Sequence, residues 1–104
     1  FWQAIRAPDF DYSTFAHLVD ASGQVRAQAD QGPGKNVDYT PAKWQPEDVV
    51  IDRREITLPP DAHGDFQINI GAYNYATGAR LSVTGATGAP AGDFVALPGK
   101  VRVP

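Results

Sequence analysis

The chain has no cysteine. That excludes disulfides, thiolate nucleophiles and cysteine-based zinc sites. It has no methionine either and begins at Phe1, so a domain excised from a larger protein is expected. Histidine is scarce, with only His17 and His63, which leaves little material for a metal or acid–base centre. No apolar run approaches the roughly 20 residues of a membrane-spanning helix, so direct membrane insertion by this segment is not expected. No signal peptide is visible. Positive charge is in deficit, with nine Lys and Arg against 12 Asp and Glu and a net charge of −3. Such a surface offers no basic face to a phosphate backbone, which argues against nucleic acid as a partner. Sustained helical periodicity is also missing. The nearest candidate, Pro46 to Asp52, offers one helical turn at most.

What is present reads as β structure. With 104 residues the chain makes one domain, residues 1–104, able to bury about 65% of its unfolded surface. Ten glycines and nine prolines punctuate short runs rich in Val, Ile, Phe, Tyr and Thr, which suit a pleated, half-buried surface. Strands are expected at Trp2–Ala7, Tyr12–Asp20, Gln24–Asp30, Val49–Leu58, Asp65–Tyr75, Ala79–Thr84 and Phe94–Val103, the last broken at Pro98-Gly99. The pattern predicts an all-β, immunoglobulin-like two-sheet sandwich of seven or eight strands. Phe15, Val19, Val25, Ile56, Leu58, Phe66, Ile68, Ile70 and Leu81 are expected to supply its core. The segment 31–47 has no strand pattern and reads as a loop, as does "GATGAPAG" at 85–92.

Two turns have specific chemistry. In "DASGQ" and "YATGA" a small pair precedes Gly23 or Gly78, and glycine suits the left-handed position of a hairpin loop. A three-residue loop at Ala21-Ser22-Gly23 pairs Val19 with Val25 and His17 with Ala27. It groups Phe15, His17, Val19, Val25, Ala27 and Ala29 on the core face. A four-residue loop shifts one strand by a residue and sets His17 beside Arg26 and Gln28. The first register is preferred. At the second hairpin, only a four-residue loop groups Ile70 and Ala72 with Leu81 and Val83.

Candidate sites are few. Asp52 lies mid-strand in "VVIDRREITL", where Asp is disfavoured. A buried carboxylate there needs donors, from Arg53, Arg54, Arg80 or His17. The first expectation is a structural pair of His17 with Asp52. Tyr39, Trp44, Tyr73 and Tyr75 sit in loops or at a hairpin tip and are candidate platforms for a sugar or a partner protein. For Trp44 the competing reading is a plug at one end of the sandwich. A small hydrolase using His17 or His63 with a carboxylate is the least favoured reading. No Ser lies in a G-x-S-x-G context, and no EF-hand spacing or cofactor motif occurs. No catalytic residue, metal or cofactor is therefore assigned.

"FWQA", "DYSTFAHLVDASGQVRAQAD", "WQPEDVVIDRREITLP" and "GDFQINIGAYNYATGARLSV" resemble a β-sandwich domain of bacterial membrane proteins. The stretches look like the extracytoplasmic C-terminal domain of polytopic glycosyltransferase-like proteins with dolichyl-phosphate-mannose mannosyltransferase-like membrane cores. The resemblance spans Trp2 to Val83. Three departures stand out. Glu47 and Asp48 occupy the Gly and Glu positions of the family's W-x-P-G-E, and Phe66 replaces a Tyr. The small-residue run before Trp44 is lacking. The resemblance implies a non-catalytic accessory domain outside the cytoplasm, attached through a membrane-anchored parent. Its partners would be the rest of its own polypeptide, a glycan or an envelope protein.

Overall fold

The computed structural model describes residues 1–31, 40–85 and 87–104. Tyr39 lies outside these residues. The described chain is all-β: seven strands form two antiparallel sheets, and the only helical element is a 3-10 turn at Pro41–Lys43. Among the described residues no helix is long and apolar enough to cross a membrane. The strands are β1 (Trp2–Gln3), β2 (Ser13–Val19), β3 (Val25–Gln31), β4 (Val49–Val50), β5 (Gly64–Tyr73), β6 (Val95–Ala96) and β7 (Val101–Val103). β1 pairs with β4, and the larger sheet has the order β3-β2-β5-β6, with β7 also on β5.

The expected strands survive unequally. β2, β3 and β5 match within a few residues. The run Val49–Leu58 keeps a ladder only at Val49–Val50. Beyond it, residues 51–57 still alternate, with Asp52, Arg54 and Ile56 partly covered and Ile51, Arg53, Glu55 and Thr57 exposed. The side-chain period of a strand therefore persists without its backbone bonds. Ala79–Thr84 contributes only isolated bridges, Tyr73 to Arg80 and Thr84 to Pro90. The last stretch divides at Pro98-Gly99 into β6 and β7.

The first hairpin combines both registers read from the sequence. At its tip Asp20 pairs with Gln24 through a 2.9 Å bond, and Gly23 has a φ of 87°. Val19 faces Val25 as the three-residue loop requires, but the register then shifts, so Leu18 faces Ala27 and His17 faces Gln28. Arg26 is the extra residue, a β-bulge that flips every later side chain. Ala27 and Ala29 therefore join Leu18 and Ala16, opposite Ile68 and Ile70 of β5. The expected grouping of Ala27 and Ala29 with His17 is corrected by this bulge.

The core is accordingly distributed. Ala16, Leu18, Phe66 and Thr14 are buried on one face of the larger sheet, and Phe15 and Val19 on the other. A third cluster joins Ala4, Trp44 and Val50, with Trp2 against it. Of the expected core, Val25, Leu58 and Leu81 are exposed. Val25 sits at the hairpin tip, on the face that the bulge deprives of its alanines. The second hairpin has the expected four-residue loop: Asn74 and Ala79 close it with a 2.8 Å bond, and Leu81 N bonds Ala72 O.

Candidate functional site

Asp52 is the odd polar residue of its strand, and its surroundings explain it. Trp2 Nε1 donates to Asp52 Oδ2 at 2.8 Å, and Gln31 Nε2 donates to Oδ1 at 3.1 Å. Arg54 lies two residues on, on the same side of the extended segment, and its Nη2 reaches Oδ2 at 2.5 Å. The two side chains of the pair are only 6% and 11% exposed, Asp52 being the deeper. Arg54 also bonds the carbonyls of Ala29 and Thr14 and the buried Thr14 hydroxyl. Burial alone raises the Asp52 pKa. The bonds from Arg54, Trp2 and Gln31 outweigh it, so the carboxyl stays below its ordinary value of 3.8. The cluster links β1, β2, β3 and the segment after β4. It has the chemistry of a structural tie, with each charge partnered.

His17 is not part of it. The expected His17–Asp52 pair is corrected: Asp52 meets Gln31, and its partner Arg54 meets Thr14, on the Ala16 face, while His17 alternates to the opposite face. There the imidazole stacks on Phe15 with centroids 4.6 Å apart, and the Arg80 guanidinium lies 4.5 Å over the same Phe15 ring. Burial lowers the His17 pKa from 6.5. Asp30 opposes that and Arg80 reinforces it, so the ring is neutral at pH 7. The Phe15 ring lies against Gly71, where a Cβ would collide with the ring edge and with the Asp93 carbonyl. His17, Gln67, Asn69, Arg80 and Phe94 line a depression of about 410 Å³ on this face.

The aromatic candidates are not assembled into one platform. Trp44 is only 6% exposed, in the cluster with Ala4 and Val50, and so takes the plugging role. Tyr73 is half-buried. Tyr75 is 60% exposed and stacks on Phe10 at 5.3 Å, and Phe10 meets Tyr12 edge-on at 5.5 Å. Tyr12 donates to Asp9 Oδ1 at 2.7 Å. Beside this trio runs a groove of about 620 Å³ lined by Trp2, Arg6, Asp9, Tyr12, Trp44 and Leu81 among others. Phe10 and Tyr12 were missed as site residues. Their signal was the alternation of aromatics and carboxylates in "DFDY".

Among the described residues, neither histidine meets a carboxylate through a hydrogen bond. His63 Nδ1 lies 3.0 Å from the Asp61 backbone carbonyl, and the Asp61 carboxylate is taken by Arg26 at 3.2 Å. Among the described residues no group of three or more His, Cys, Asp or Glu could hold a metal ion. No protein-family model matches the chain, and no curated protein or solved structure matches it.

Proposed function

We propose that the chain is a non-catalytic accessory domain of a larger, membrane-associated bacterial envelope protein, and that it works outside the cytoplasm by docking to the rest of its own polypeptide. The observation that carries the reading is the outer side of the small sheet. Trp2, Ala4 and Val50 turn inward, and the alternating residues Ile5, Val49 and Ile51 are 91%, 58% and 56% exposed. Large apolar side chains exposed together on one side of a sheet are costly on a free surface and suit a contact. The parent as occupant follows from the sequence resemblance.

The same reading makes the fold an immunoglobulin-like sandwich. The alternating segment 51–57 lies across the larger sheet, and its inward residues Arg54 and Ile56 share a cavity of about 340 Å³ with Ala16, Ile68 and Ile70.

Hydrogen exchange tests the docking by comparing the chain alone with the full-length gene product. Amides of β1 and β4 should exchange more slowly in the longer protein, and Ile51→Asp should remove that protection while leaving the isolated chain folded. Equal exchange in the two proteins rules the docking out.

A further inference from the structure

The His17 face of the larger sheet carries amides in the middle of its strands. Gln28, His17 and Asn69 stand opposite one another across β3, β2 and β5, and Gln67 stands opposite Val19. Asn is a poor strand former, so local propensity does not account for Asn69 at the centre of the longest strand. Gln67 Nε2 donates to Asn69 Oδ1 at 2.8 Å. The bond fixes both side chains and leaves Asn69 Nδ2 as a donor beside Gln67 Oε1 as an acceptor. Turning both amides over reverses the bond and again leaves a donor beside an acceptor.

We propose that this depression binds a neutral saccharide ring. Two neighbouring hydroxyls match the amide pair, one accepting from the amide N–H and the other donating to the amide carbonyl. Phe94, exposed at the wall of the depression, offers an apolar surface to the C–H face of the ring. The charges on this face favour an uncharged ligand. Arg80 is paired with Asp93 at 3.5 Å, and Asp30 stands opposite Phe15 in the ladder. The site is separate from the apolar patch on the small sheet and does not use Trp44 or Tyr75.

The test is an NMR titration of the isotopically labelled chain with the methyl glycosides of glucose, galactose, mannose and N-acetylglucosamine. At least one should shift the side-chain amide signals of Gln67 and Asn69 in a saturable manner. Asn69→Leu should then weaken binding about tenfold, the effect of one neutral hydrogen bond, with the rest of the spectrum unchanged. Phe94→Ala gives an independent reading should Asn69→Leu fail to fold. The proposal is overturned if none of the four glycosides shifts these signals. Shifts confined to Phe10, Tyr12 and Tyr75, or equal affinity in the folded variants, overturn it as well.

Discussion

Glu47 holds a φ of 72°, the only described non-glycine residue in the left-handed region. The strain follows from its place in the turn between Gln45 and Asp48. Gln45 N bonds the Asp48 carboxylate at 2.8 Å, while Glu47 N reaches back to the Ala4 carbonyl at 2.5 Å. These bonds align β4 with β1 and leave Glu47 no other backbone choice. An L-residue in that conformation costs about 1–2 kcal/mol, and the Glu47 side chain is exposed. This is also the position at which the resembling pattern has glycine. Glu47→Gly should therefore stabilise the chain by about 0.5–1 kcal/mol, the relief of strain being partly offset by the greater freedom of glycine in the unfolded chain. The urea midpoint measures this. A lower midpoint for the variant would mean that the side chain contributes something the geometry does not show.

Element by element, legibility tracked how local the cause was. The turns at Gly23 and Gly78 were readable because a left-handed position needs only its own residue and neighbours. The oddity of Asp52 was readable too, since a carboxylate mid-strand contradicts propensity. Its partners were not: Trp2 is 50 residues away, and His17 was excluded only by the side of the sheet it occupies. Which β3 side chains share that side was set by the bulge at Arg26, where the extra residue is held between Asp20 at 3.8 Å and Asp61 at 3.2 Å. No local composition announces such a pairing. The amides of "DFQINIGAY" were visible in the sequence, but only the register sets Asn69 beside His17. The bulge gives a direct test through deletion. Removing Arg26 should regularise the ladder and keep Ala27 and Ala29 inward, at a cost of about 1 kcal/mol or less from its exposed ion pairs. Removing Gln28 should instead turn Asp30 toward Ala16 and its buried neighbours, an unpaired charge costing several kcal/mol. Thermal unfolding of the two deletions distinguishes them. Comparable losses would show that the bulge does not set the faces.

At the scale of the whole molecule, the two faces of the larger sheet each carry a titrating group whose folded pKa is depressed, and this fixes how stability depends on pH. For His17, burial holds the imidazole below 6.5. The unfolded chain therefore binds more protons between the folded value and 6.5, and stability must fall as pH falls through that window. For Asp52, the bonds from Arg54, Trp2 and Gln31 overcome burial and hold the carboxyl below 3.8. Its contribution is complete above 3.8 and is lost as pH falls through the folded value. The partly covered Asp11 and Asp20 are lowered by hydrogen bonds from Ala42 and from Ser22, respectively, and share the acid limb. The melting temperature should thus decline in two stages, the first beginning near pH 6.5 and the second below 3.8. His17→Gln should abolish the first stage and leave the second. Asp52→Asn should lower the plateau, since Arg54 keeps its charge without a counterion, and should weaken the acid stage without removing it. Melting curves across the neutral and acid range, taken on the wild type and both variants, read each stage separately. A first stage that persists in His17→Gln would assign it to another group and show that burial against Phe15 does not hold the imidazole neutral.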